Sequence, residues 1–176
     1  MMKKNFRVAF VGCGRVAHHY LKMIKQIRNI NIQIKAVCDI EKKKAIKFSK
    51  KINSKPYFNL KKMLEEIKVD LIIILTPSGM HYDHSNLALD YGFNVLVEKP
   101  ICLLISDAKK LYKKAKSKKL VLSVGFQNRH NKAIVYLKKA VEKKLFGKIV
   151  SISVVLRWCR FQSYYSDNWH GTWKFD

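Results

Sequence analysis

Short apolar runs alternate with longer stretches of helical period along this chain. Val8-Ala9-Phe10-Val11 is an apolar run that stops at glycine, as a buried parallel strand does. Residues 15–27 follow as a predicted helix, with Val16, Tyr20, Met23 or Ile24, and Ile27 at helical spacing. Residues 32–38 read as a second strand ending at Asp39, and residues 42–51 as a helix with Ala45, Ile46 and Phe48 facing inward. A short segment near Pro56-Tyr57-Phe58 leads to a helix over 60–67. Residues 71–75 are the clearest central strand, broken by Thr76-Pro77-Ser78-Gly79. A helix over 81–91 stops at Gly92, and the strand at 93–97 ends in Glu98-Lys99-Pro100. Ser106 is expected to cap a helix over 107–116, with Asp107 at the favoured end of its dipole, and 120–124 gives one more strand. Strands and helices alternating at this rhythm predict an α/β fold built on a doubly wound parallel sheet.

After Gly125 the pattern changes. Residues 131–145 form an amphipathic pattern with Ile134, Leu137, Ala140 or Val141, and Leu145 on one side. Residues 148–158 carry Val150, Ile152, Val154, Leu156 and Trp158 on one face, which predicts a long strand of a half-buried antiparallel sheet. No further strand follows in residues 161–176, which are aromatic and polar, and one strand does not make a stable sheet. The expectation is therefore a first domain over 1–123 and the start of a truncated α+β second domain over 124–176.

Composition refines this picture. The chain has 36 Lys and Arg against 12 Asp and Glu, a formal charge of +24. Such a surface attracts polyanions, so a nucleic-acid-binding module is one reading. Against it, only Arg7, Arg15, Arg28, Arg129, Arg157 and Arg160 are arginines, and arginine is the residue that reads phosphates and base edges bidentately. The lysines are spread over every predicted helix, as in Lys42-Lys43-Lys44 and Lys113-Lys114, which fits solvated faces. The expectation is no nucleic acid and no membrane partner. Cys13, Cys38, Cys102 and Cys159 show no metal-ligand spacing and no disulfide framework, so no metal is expected. The positive start at Lys3-Lys4 precedes an apolar stretch too short and too glycine-containing for a secretory leader, and no run approaches the roughly 18 apolar residues of a membrane span. A cytoplasmic protein is expected.

The chemistry concentrates at strand ends. Gly12-Cys13-Gly14-Arg15-Val16-Ala17 has the spacing G-x-G-x-x-A between a predicted strand and helix. The first glycine permits a tight turn, the second lets backbone approach a pyrophosphate, and the small third residue lets helix and strand pack. Asp39, 22 residues beyond Ala17, ends the second strand, where a carboxylate accepts from ribose hydroxyls and repels a 2′-phosphate. Together they predict a Rossmann domain that binds NAD. Thr76-Pro77-Ser78 and Glu98-Lys99-Pro100 follow strands at the carboxyl edge, where ligands bind in such sheets.

In this order the Gly turn, Asp39, Thr76-Pro77-Ser78 with His81, and Glu98-Lys99-Pro100 resemble the Gfo/Idh/MocA oxidoreductase family. Gly125-Phe126-Gln127-Asn128-Arg129 resembles the segment that opens that family's second domain. Arg157-Trp158 through Gln162-Ser163-Tyr164-Tyr165 and Trp169-x-Gly171-Thr172-Trp173 is similar to the branch that oxidises C3 of UDP-N-acetylglucosaminuronic acid in surface-polysaccharide (lipopolysaccharide) sugar synthesis. The resemblance covers essentially the whole chain. It implies hydride transfer from a sugar carbon to NAD, with Lys99 holding the reacting hydroxyl as the catalytic residue. It implies cofactor contacts from Gly12, Cys13, Gly14, Arg15, Val16, Asp39, Thr76, Pro77, Ser78, His81, Glu98, Lys99 and Gln127. It implies contacts to a UDP-sugar from Lys99, Asn128, Arg129, Arg157, Tyr164, Tyr165 and Trp169. Packing of the second domain is the competing role of these aromatic residues. Full-length members assemble as homo-oligomers and carry a catalytic histidine beyond the position matching Asp176, and none of His18, His19, His81, His84, His130 or His170 stands there. The remaining reading is an NAD-binding portion without turnover, or one half of a split enzyme.

Overall fold

A computed structural model describes residues 5–166 and 169–175; residues 1–4, Asp167, Asn168 and Asp176, which include the Lys3-Lys4 start and the last residue of the aromatic tail, lie outside the described residues. The chain folds as β1 (Asn5–Val11), α1 (Arg15–Gln26), β2 (Asn31–Cys38), α2 (Lys42–Ile52), β3 (Lys55–Tyr57), α3 (Leu60–Glu66), β4 (Leu71–Ile74), α4 (His81–Asp90), β5 (Val95–Glu98), α5 (Ile105–Ser117), β6 (Leu122–Gly125) and α6 (Lys132–Glu142). The six strands form one sheet in the order β3-β2-β1-β4-β5-β6, and every pairing is parallel. This is the Rossmann arrangement, with the order reversing between β1 and β4.

The central strands are apolar on both faces because helices cover both. Ala9, Val11, Ile72, Ile74, Val95 and Val97 face one core with Met63, Ala88, Leu89 and Leu111 from α3, α4 and α5. Val8, Phe10, Val37, Ile73 and Leu75 face the other with Ala17 and Leu21 from α1 and Ala45 and Phe48 from α2. Successive residues of one strand thus serve opposite cores, as the two-residue period demands. No helix among the described residues is long and apolar enough to cross a membrane.

Four details differ from the sequence-based expectation. On α1 the buried residues are Ala17 and Leu21, with Tyr20 and Ile24 packed beside them, while Val16, Met23 and Ile27 are exposed. The stripe that meets the sheet runs through the small Ala17, which lets the helix sit close, and this turns Val16 outward. On α2 Ile46 is exposed and Ser49 is buried with Ala45 and Phe48. Ser106 does not cap α5: the amides of Asp107 and Ala108 already donate to Leu104 O, so the helix starts before Ser106 and has no side-chain cap. Finally, residues 148–158 form no strand. Val150, Ile152, Val154, Leu156 and Trp158 are 72–89% exposed, because among the described residues no neighbouring strand supplies a ladder for them. The helix before them, α6, has no buried residue.

Candidate cofactor and active site

The turn after β1 lies at the point where the strand order reverses. Gly12 has φ +95°, and an added Cβ would stand 2.7 Å from Leu75 O and 3.0 Å from Thr76 N. Its amide donates to Cys38 O at 2.8 Å, so the turn is pinned between β2 and the end of β4. Gly14 differs: an added Cβ there meets nothing within 4 Å. Its open side adjoins the N-terminus of α1, which has no side-chain cap and no acidic residue in its first turn. The free amides and dipole of such a helix end favour a phosphate.

Asp39 stands at the end of β2, half-buried. One carboxylate oxygen accepts the Cys13 amide at 2.8 Å and the other accepts the Glu41 amide at 2.8 Å. Each oxygen keeps a second lone pair for a ribose hydroxyl. Cys13 and Cys38 are small buried fillers beneath the turn. Burial, followed by Asp39, pushes the Cys13 thiol up to about 12 and the Cys38 thiol up to about 11, so both stay protonated at neutral pH. A cleft of about 250 Å³ beside the turn is lined by Cys13, Gly14, Arg15, His18, Lys44, Lys47 and Phe48. The close backbone approach at Gly12, the open side of Gly14, the bare helix end and the Asp39 carboxylate fit a dinucleotide.

The next two strand ends converge on the same edge of the sheet. After β4, the loop Thr76-Pro77-Ser78 leads into a single turn over Ser78–Met80. The Thr76 hydroxyl lies 3.0 Å from His84 Nδ1, and burial lowers the pKa of that histidine. His81, expected as a cofactor contact, is instead 1% exposed, with Nε2 2.7 Å from Thr76 O and Nδ1 2.6 Å from Pro100 O. It lies beneath the site and joins the loops that form it, because both ring nitrogens are already engaged by backbone.

At the end of β5, Glu98 accepts the Tyr20 hydroxyl at 2.8 Å through one oxygen and the Lys99 amide at 3.1 Å through the other. Burial first, and then Glu98, raise the Tyr20 phenol well above its ordinary value. Lys99 is exposed, and its ammonium makes no hydrogen bond or ion pair among the described residues. The Lys99–Pro100 peptide is cis. Gln127, Asn128 and Arg129 follow β6 in a short exposed turn, where the Arg129 guanidinium lies 5.1 Å from the Phe126 ring centroid.

The aromatic tail is drawn to this edge. Arg15 lies 5.4 Å and Arg160 4.9 Å from the Tyr164 ring centroid, which brings the tail to the glycine turn. Tyr165 packs edge-on against Tyr164 at 5.1 Å, and Trp169 stacks on His170 at 3.6 Å, itself 4.0 Å from Tyr164. The Gly79 amide donates to Phe175 O at 3.2 Å, and an added Cβ at Gly79 would collide with Lys174 O. Arg157 is not brought in: it stands in the exposed 148–161 stretch, with no hydrogen bond, ion pair or ring contact to the cluster among the described residues. Sequence reasoning missed Tyr20 and Lys174-Phe175. Periodicity placed Tyr20 on the core face of α1, but nothing local marks its hydroxyl partner 78 residues away.

Residues 6–126 match the oxidoreductase family GFO_IDH_MocA, NAD-binding Rossmann fold. The chain belongs to the Gfo/Idh/MocA family. Its parallel sheet and glycine turn are that family's NAD-binding domain. Among solved structures it is similar to the WlbA dehydrogenase from Chromobacterium violaceum in complex with NADH and UDP-GlcNAcA, with a TM-score of 0.94 at 33% identity, over 100% of this chain and 51% of that one. The WlbA dehydrogenase from Bordetella pertussis, also in complex with NADH and UDP-GlcNAcA, gives a TM-score of 0.94 at 29% identity, over 100% of this chain and 53% of that one. Among curated relatives, the D-glucoside 3-dehydrogenase of Escherichia coli (strain K12) is 29% identical over 90% of this chain and 46% of its own length. The chain thus spans about half the length of the relatives it matches.

Proposed function

We propose that this chain is the NAD-binding portion of a sugar-nucleotide dehydrogenase, one that oxidises C3 of a UDP-N-acetyl-aminouronic acid for surface-polysaccharide synthesis in the cytoplasm. The observation that carries this reading is Lys99: an unpaired ammonium on a fixed backbone, at the same sheet edge as a turn that fits a dinucleotide. The likeness to the two WlbA dehydrogenases across the whole chain, tail included, supports the substrate class.

In this reading Gly12, Cys13, Gly14, Arg15 and Val16 take the pyrophosphate, Asp39 takes the adenosine ribose, and Thr76, Pro77, Ser78, Glu98, Lys99 and Gln127 border the nicotinamide end. Bound NAD supplies the hydride acceptor. Lys99 holds the reacting hydroxyl and receives its proton, which is general-base work. Asn128, Arg129, Tyr164, Tyr165 and Trp169 lie along the sugar nucleotide, and Arg157 joins them only after the 148–161 stretch moves in. Residues 1–123 make the NAD domain, and residues 124–176 begin a second domain that supports the substrate and homo-oligomer contacts. No nucleic acid or membrane partner is proposed.

The test is a titration of NADH fluorescence against the chain, followed by NAD reduction with UDP-GlcNAcA as substrate. Saturable NADH binding that Asp39→Arg abolishes is expected. Equal affinity for ATP and NADH would sink the reading. A second reading, an NAD-binding half that turns over only when a complementary half is added, is favoured by the exposed apolar face from Val150 to Trp158. It predicts NADH binding with no reduction until that half is supplied.

A further inference from the structure

The Lys99 side chain makes no hydrogen bond or ion pair among the described residues, so its ammonium is placed by its backbone. Two side chains from distant elements grip that backbone. On the amino side, the Tyr20 hydroxyl of α1 donates to Glu98 Oε1 at 2.8 Å, and Glu98 Oε2 accepts the Lys99 amide at 3.1 Å. On the carboxyl side, His81 Nδ1 lies 2.6 Å from Pro100 O, and its Nε2 lies 2.7 Å from Thr76 O. We infer that Tyr20 and His81 are positioning residues for Lys99, and that they couple the cofactor helix and the Thr76 loop to the lysine turn. This rests on the proposed role of Lys99.

The surroundings are built for these contacts. Gly125 admits the Tyr20–Glu98 pair, since an added Cβ would stand 2.8 Å from the Tyr20 hydroxyl and 3.0 Å from Glu98 Oε1. Both partners of the His81 ring are backbone carbonyl oxygens, so the ring ties one loop's backbone to the other's. The neighbouring histidine, His84, takes the Thr76 hydroxyl rather than its carbonyl, so the two rings do not compete for one acceptor. Tyr20 sits on the helix whose N-terminus faces the dinucleotide site, and Thr76 closes that site from β4. A shift of either element therefore reaches the lysine turn through two hydrogen bonds and one bridging side chain.

Nuclear magnetic resonance of the isotopically labelled chain tests this without turnover. The expected wild-type spectrum shows a Lys99 amide that exchanges slowly. In Tyr20→Phe the Lys99 amide exchanges about fivefold faster or more, while the amides of Ile73 and Val97 in the core keep their rates. In His81→Phe the carbonyl carbons of Thr76 and Pro100 shift as their donor is lost. An unchanged Lys99 amide in Tyr20→Phe overturns the role of Tyr20. Unchanged Thr76 and Pro100 carbonyl carbons overturn the two-carbonyl tether, and His81→Gln gives the same reading where His81→Phe does not fold. Failure of the dehydrogenase reading would show separately, as absent NADH binding with these spectra intact.

Discussion

The Cys13 amide donates to Asp39 Oδ2 at 2.8 Å, so the carboxylate expected to meet the ribose is also the post that holds the glycine turn. Its other oxygen takes the amide of Glu41, the residue immediately before α2. Asp39 therefore joins the two loops that flank the dinucleotide site before any ligand arrives. Replacing it with Asn keeps the shape but weakens two charge-assisted hydrogen bonds, which are each worth about 1.5–3 kcal/mol against about 1 for neutral ones. Asp39→Asn is expected to lower stability by about 1–2 kcal/mol and NADH affinity by about tenfold, read by urea denaturation and fluorescence titration. Unchanged stability would mean the carboxylate does not hold the turn.

The two glycines of the turn should behave differently. Gly12→Ala places a Cβ against Leu75 O on a backbone with φ +95°, so folding should lose about 1–3 kcal/mol and NADH binding should fail with it. Gly14→Ala puts a methyl into open space, so stability should change by less than about 1 kcal/mol while NADH binding weakens. Thermal melts with parallel titrations separate the two. A Gly14→Ala protein that binds NADH as the wild type does would show that the open side is not where the pyrophosphate lies.

His84 gives a pH dependence with a definite sign. Burial lowers its folded-state pKa from the ordinary 6.5, His81 lowers it further, and Asp83 opposes both. Between the folded and unfolded values the unfolded chain binds more protons, so the stability that neutral His84 contributes is complete above 6.5 and is lost as pH falls below it. His18, also lowered by burial and by nearby lysines, adds in the same direction. Denaturation midpoints of the wild type and of His84→Gln, measured from pH 7.5 to 5.5, are expected to converge as pH falls. Parallel pH profiles would show that His84 does not carry the effect.

The apolar stretch from Val150 to Trp158 should govern solubility and leave stability alone. Its side chains stand exposed outside both cores, and exposed apolar patches drive association. Ile152→Lys combined with Val154→Lys is expected to raise the monomeric fraction in sedimentation while leaving the melting temperature and NADH affinity unchanged. A lower melting temperature would place these residues in the packed structure.

Most of the fold was legible because its signals are local. Apolar runs at strand period, helical stripes between them, and the glycines at 12 and 92 follow from steric rules that act within a few residues. Apart from β3, read only as a short segment near Pro56-Tyr57-Phe58, the element types from β1 to α6 follow from those rules, as does the need for glycine at position 12, where φ is +95°. The motif Gly12-x-Gly14-x-x-Ala17 with Asp39 likewise pointed to a dinucleotide before any contact was known. Tertiary structure decided what the polar side chains do. Tyr20 reads as a core position yet reaches Glu98, 78 residues on; His81 reads as a ligand contact yet turns under the site to Thr76 and Pro100. It also decided that Ala17 and not Val16 meets the sheet, and that residues 148–158, alternating as a strand should, remain unpaired. The reason is common to all of these. Periodicity states which side of an element is apolar, but a hydrogen bond, a packing stripe or a strand ladder needs a partner, and only the folded chain brings the partner near.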